Sequence, residues 1–196
     1  NLSLTKVYSL GKQTLTGIFP FKKNAKITKG DLSMVICKKC KLLQLEHNFD
    51  ANEMYGENYG YMSSLNKSMI SHLELKALSL KNKYKIKSSK NILDIGSNCG
   101  FFSIYVSKYV EKIFGVEINP YLVAISNDVK DYLNINNANF INSSFEEFHI
   151  DEKFDIIFSF ANDSTIDDNT KFSFSEYIEK IKNLLKDNGL LIFESQ

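Results

Sequence analysis

The chain has 196 residues, 43% hydrophobic and 24% charged, with a formal net charge of +1. That length supports one sizeable domain with a smaller one attached, and the near-neutral balance leaves no basic footprint for nucleic acid or an anionic membrane surface. No apolar run approaches the roughly 20 residues that cross a bilayer, and the N-terminus lacks a signal-peptide pattern, so the expectation is a cytoplasmic protein.

Residues 1–61 read as a small N-terminal module. Turn signals at Gly11, Gly17, Pro20 and Gly30 make it irregular and strand-poor, apart from MVICKKCKLLQLE, where two short apolar runs flank a CxxC turn as in a small hairpin. Cys37 and Cys40 form that pair, and the only other cysteine is Cys99. An odd count of three points to free thiols or metal ligands rather than a disulfide framework. Tyr55, Tyr59 and Tyr61 cluster at the end of the module. From Met62 the pattern changes: Leu65, Met69, Leu73, Ala77 and Leu80 recur every three or four positions, one face of a helix that leads into a second domain, residues 62–196.

After Lys90 strand-like and helix-like segments alternate. NILDIG reads as strand, FFSIYVSKYV as helix, KIFGVEI as strand, PYLVAISNDVKDYL as helix, ANFINS and FDIIFSF as strands, SFSEYIEKIKNLLK as helix and GLLIFES as strand. The strands are near-continuous apolar runs, as expected when helices cover both faces. The fold class is therefore α/β, a doubly wound, mostly parallel sheet of the Rossmann-like kind. Ligands of such sheets sit beyond the carboxyl ends of the strands, at the switch in strand order. That places the chemistry at Asp94 to Gly100, Glu117, Ser143 to Phe145 and Phe160 to Asp163.

The loop in NILDIGSNCGFFS decides what is held. Read as the dinucleotide fingerprint G-x-G-x-x-G from Gly96, it has Asn98 and Phe101 where the second and third glycines belong, so a pyrophosphate would meet side chains. What remains is D-x-G-x-x-x-G, with Asp94, Gly96 and Gly100, and a second acid, Glu117, at the end of the next strand. A carboxylate is acceptor-only and can take two vicinal hydroxyl protons. A loop beside a carboxylate also suits a cationic ligand better than a bare phosphate cradle does.

At these motifs the sequence resembles the class I S-adenosylmethionine-dependent methyltransferases, from about residue 90 onward. The resemblance implies that Asp94, Gly96, Ser97, Asn98 and Gly100 hold the methionine part of the cofactor and that Glu117 takes the ribose hydroxyls. It further places Ser144 and Phe145 beside the adenine, and Phe160 and Ala161 beside the transferable methyl. FANDS lacks the Asn/Asp-Pro-Pro-Tyr/Phe motif carried there by methyltransferases of planar nitrogens. Asp163 is the best-placed candidate for a catalytic base.

A second resemblance covers the N-terminal part. CKKCKLLQLE followed by MYGENYGYMSS is similar to the zinc-binding N-terminal module of the sugar C-methyltransferase family, as are YSLGKQTLTGIF and the loop wording DIGSNCG. It implies that Tyr59 and Tyr61 fold over the cofactor, that Ser63 matches the motif serine, and that Cys37 and Cys40 are two of four ligands to a structural zinc. His47 is a weaker third, and Cys99 reads as a packing residue. The family's base motif and two further strands would follow Gln196, so the expectation is a section of a longer polypeptide. The implied activity is methylation, from S-adenosylmethionine, of a small-molecule acceptor such as a nucleotide-linked sugar, at carbon or oxygen, with neither nucleic acid nor membrane as partner. A nicotinamide-dependent oxidoreductase and a non-catalytic cofactor-binding module are the alternatives.

Overall fold

A computed structural model describes residues 3–15, 17–20, 22–55, 59–88, 90–160 and 172–194. The chain divides after Gly60 into two compact units.

The first unit is a three-stranded antiparallel sheet, β1 (Leu4–Thr14), β2 (Lys29–Cys37) and β3 (Leu43–Leu45), in the order β1-β2-β3, followed by a one-turn helix, α1 (Ala51–Tyr55). The β2–β3 hairpin folds about the CxxC turn, with Ile36 opposite Leu43 and Met34 opposite Leu45. The unit is not strand-poor: β1 and β2 are eleven and nine residues long. Sequence reading misses β1 because its register slips twice, between Lys6 and Tyr8 and between Ser9 and Lys12, and because all eleven residues are exposed. Each slip breaks the two-residue alternation, and Gly11, which reads as a turn, lies inside the second irregularity.

The second unit opens with α2 (Lys67–Lys83), which starts later than its periodicity suggests because Asn66 caps it, its side chain accepting from the Ser68 N–H at 2.9 Å. Five parallel strands follow: β4 (Asn91–Ile95), β5 (Lys112–Glu117), β6 (Ala138–Asn142), β7 (Phe154–Phe160) and β8 (Leu185–Glu194), in the order β6-β5-β4-β7-β8. Three helices, α3 (Phe101–Ser107), α4 (Pro120–Tyr132) and α5 (Phe174–Leu184), connect β4 to β5, β5 to β6 and β7 to β8, while β6 leads to β7 without a helix. Helix α3 stops at Ser107, short of the apolar run that follows it in sequence, and β8 begins directly after α5, with a register shift before Leu190. Ile92 and Phe158 pack with Phe102 and Val106 in one core, while Leu93 and Ile157 pack with Tyr177 and Ile181 in a second. Among the described residues no helix is long and apolar enough to cross a membrane. The sheet matters for function because β4 lies between β5 and β7: the chain runs outward to β6 on one side, then returns to the other. The strand order reverses at the end of β4, where the glycine loop begins.

Candidate functional site

β4 delivers Asp94 to the sheet's carboxyl edge with only 4% of its surface exposed. Its Oδ2 accepts from Ser103 Oγ at 2.5 Å, a hydroxyl on the first turn of α3. Burial raises the Asp94 carboxyl to about 7, the Ser103 hydrogen bond and the Lys76 cation offset part of that rise, and Glu117 adds to it.

The loop turns back at once. Gly96 and Ser97 both donate their N–H to Val116 O, at 2.8 and 3.0 Å, so the loop is sewn onto the end of β5. Gly96, Asn98 and Gly100 lie in the left-handed region, at φ 71°, 50° and 74°. Gly100 has no room for a side chain, since a Cβ there would stand 2.7 Å from the Phe140 ring and 2.8 Å from Ser126 Oγ. A Cβ at Gly115 on β5 would likewise meet Ser97 at 2.7 Å, so that glycine lets the loop settle on the strand. Ser97 Oγ is buried and has no hydrogen-bond partner among the described residues.

Glu117 ends β5, 8% exposed. One oxygen accepts the Asn98 N–H and the other the Asn119 N–H, both at 2.9 Å, and the Ile118 N–H also bonds the carboxylate, so its plane is fixed. Burial raises its pKa, and those backbone donors oppose the rise. Asn119 in turn caps α4, accepting from Tyr121 and Leu122, with Pro120 at the first helical position.

The remaining predicted residues lie in varied surroundings. Ser144 Oγ accepts the Glu147 N–H in a turn, and the half-buried Phe145 packs edge-on to Tyr177 at 5.1 Å against the second core. Phe160 stacks on Phe158 and carries Lys76 Nζ 3.7 Å above its ring; Lys76 also pairs with Glu194 at the end of β8. Tyr61 offers its carbonyl to Asn98 Nδ2 at 3.2 Å. Tyr59 belongs to the first unit, where its ring covers Gly17 and meets Tyr55 at 5.3 Å. Ala161 and Asp163 lie outside the described residues. Three contributors escaped sequence reading: Ser103, Asn119 and Gly115. Each leaves a signal, a small polar residue inside an apolar helical run, an Asn-Pro pair at a helix start, and a lone glycine within an apolar strand.

A buried acid with a raised pKa, a left-handed glycine loop and a second acid at the next strand end meet at the switch in strand order. Residues 86–196 match the family model described as "Methyltransferase domain". The chain belongs to that family. Residues 1–55 match a second model, "Putative zinc binding domain". A curated relative, a "Putative protein N5-glutamine methyltransferase" of Methanocaldococcus jannaschii, is 31% identical over 131 residues, 58% of this chain and 65% of that protein. The YcgJ protein of Bacillus subtilis superposes with a TM-score of 0.53 at 21% identity, over 61% of this chain and 50% of its own. A S-adenosylmethionine-dependent methyltransferase of Thiobacillus denitrificans, solved with S-adenosylhomocysteine, gives 0.52 at 15%, over 61% and 47%. The chain thus spans less than two thirds of the curated relative and about half of each solved chain. The shared fold is the class I methyltransferase sheet.

The site fits S-adenosylmethionine on its own chemistry: two buried carboxylates face a ligand with an ammonium, a sulfonium and a ribose diol, and Ser97 Oγ is an unanswered donor in the loop. Zinc fits less well. The N–H groups of Cys40 and Lys39 pull the Cys37 thiol below its ordinary value, as in one half of a metal knuckle. A closed zinc site takes four ligands, and among the described residues no cluster reaches three.

Proposed function

We propose that this chain binds S-adenosylmethionine and carries a methyl group to a small acceptor. The observation that carries the reading is Glu117, buried at the end of β5 with both oxygens oriented by backbone N–H groups. Bound there, S-adenosylmethionine supplies a methyl on a sulfonium that an acceptor atom takes by in-line displacement. The protein's own contribution is mostly positioning. Glu117 would hold the ribose hydroxyls, the loop from Gly96 to Gly100 would receive the amino-acid part, and Asp94 would supply the charge opposed to its cationic groups. Phe160, at the end of β7, gives an apolar wall for the methyl. Where the acceptor must lose a proton, Asp163, three positions beyond β7, is the acid placed by sequence to take it.

For the acceptor we favour a nucleotide-linked sugar or similar small metabolite, methylated at carbon or oxygen. The resemblance of CKKCKLLQLE and the YGYMSS stretch supports this, together with the family match of residues 1–55. The M. jannaschii relative is described as acting on a glutamine nitrogen. Here Phe160-Ala161-Asn162-Asp163 lacks the paired prolines of the planar-nitrogen enzymes, which speaks against that acceptor. The cytoplasm, where nucleotide-linked sugars are made, is the compartment this reading requires.

The test is calorimetric titration with S-adenosylhomocysteine, on this chain and on Glu117→Ala, with NADH as competitor. Binding that falls at least about 100-fold in the variant, and that NADH leaves unchanged, is expected from the loss of two charge-assisted hydrogen bonds. Equal binding by both proteins overturns the ribose role, and displacement by NADH revives the oxidoreductase reading.

A further inference from the structure

Asn98 stands where nucleotide-binding loops of this general shape have their second glycine, and it keeps that glycine's left-handed backbone, φ 50°. Each of its polar groups has a partner within the second unit. Its N–H donates to Glu117 Oε2 at 2.9 Å, and its carbonyl accepts from Ser126 Oγ at 3.3 Å. Its side-chain Oδ1 accepts both the Ser63 N–H at 3.0 Å and the Ser63 Oγ–H at 3.1 Å, while Nδ2 donates to Tyr61 O at 3.2 Å. Ser63 Oγ also lies 3.2 Å from the sulfur of Cys99, which is fully buried in the same loop.

We propose that Ser63 is a positioning residue for the cofactor: it clasps the Asn98 side chain and so holds the loop in the shape that presents Glu117. The inference rests on the S-adenosylmethionine reading of the site, and it changes the part assigned to Asn98. A side chain whose oxygen accepts twice from Ser63 and whose nitrogen donates to the Tyr61 carbonyl is oriented by residues 61–63, so Asn98 acts on the shape of the loop. Glycine at 98 would satisfy the backbone better than asparagine does, because left-handed φ costs it nothing. The asparagine is explained by its clasp. A loop held through Asn98, its backbone N–H by Glu117 and its side chain by Ser63, loses less freedom when the cofactor orders it, and that preorganisation appears as affinity.

The experiment uses the whole chain as wild type, Ser63→Ala, Ser63→Thr and Asn98→Gly. S-adenosylhomocysteine affinity is measured by calorimetry, and the rate of maleimide labelling is read on the Cys99 peptide by mass spectrometry. Ser63→Ala and Asn98→Gly each bind about tenfold more weakly, the loss of one to two net hydrogen bonds. Ser63→Thr, which keeps the hydroxyl, recovers the affinity. Cys99 labels faster in the two weakened variants, and bound S-adenosylhomocysteine slows the labelling. If the wild type binds and Asn98→Gly and Ser63→Ala bind as tightly, the clasp has no positioning role and the proposal falls. If the wild type does not bind at all, the cofactor reading falls instead, and labelling of Cys99 that is unchanged in Ser63→Ala would then remove the clasp as well.

Discussion

Two aspartates on adjacent strands of one sheet meet opposite fates. Asp155, near the amino end of β7, accepts Lys90 Nζ at 2.7 Å, Lys186 Nζ at 2.8 Å and the Asn91 N–H at 2.9 Å. Partial burial works to raise its pKa, but the two lysines and the amide outweigh it and hold the carboxyl at about 2. Asp94, near the carboxyl end of β4, has one hydroxyl bond and a more distant cation, and burial lifts it to about 7. The same residue type thus marks an edge that ties strands together and an edge where ionisation is costly, a cost that the proposed cationic cofactor would offset.

The largest expected break in this contrast is Asp94→Asn. The folded pKa stands above the ordinary 3.8, so below about pH 4 both folded and unfolded chains carry the proton and no stability is lost. Between about 4 and 7 the unfolded chain ionises first and the folded protein is progressively destabilised, to a limit on the order of 4 kcal/mol. Thermal melts of the ligand-free variant should coincide with wild type near pH 4 and exceed it at pH 8, while S-adenosylhomocysteine binds the variant more weakly at pH 8. Melting curves that stay parallel across that range would mean Asp94 is already compensated in the ligand-free protein.

Asp155→Ala tests the other edge, with a smaller effect of opposite sign. A carboxyl held below its unfolded value contributes stability above about pH 4 and loses it as pH falls toward 2. The variant should lose about 2 kcal/mol at pH 7, by chemical denaturation, and progressively less as pH falls through about 2. Its affinity for S-adenosylhomocysteine should equal that of wild type, and any loss of binding would show that the two edges are coupled.

The same division explains what could be read from the sequence. The second unit was legible because its strands are continuous apolar runs and its loop concentrates left-handed positions that Gly96 and Gly100 announce. Two bulges and full exposure hid β1. At the site, acids at strand ends could be placed by their position, since the fold fixes where strands end. Contacts between segments distant in sequence, Ser63 with Asn98 or Ser97 with Gly115, could not, because they depend on the packing of side chains that no local pattern specifies. Phe145 combines both kinds of placement: its position after the third strand of the sheet suits the proposed adenine contact, and its half-buried ring also belongs to the aromatic cluster with Phe148, Phe172 and Tyr177.

Ser97→Ala gives the smallest effect and separates packing from binding most finely. The hydroxyl is buried against Gly115 and unanswered, so the ligand-free protein already bears the cost of its desolvation. Its removal should leave the melting temperature unchanged or raise stability by less than about 1 kcal/mol, unlike most buried polar substitutions. If the cofactor supplies the missing partner, affinity for S-adenosylhomocysteine falls several-fold in the same variant, a gain in one measurement set against a loss in the other. A melting temperature that drops would mean the hydroxyl is satisfied in solution by water, and an unchanged affinity would leave the backbone of the loop as the part that meets the ligand. An unchanged affinity would centre the side-chain contacts on Asp94 and Glu117, the groups whose burial already sets this edge of the sheet apart from the one that Asp155 holds.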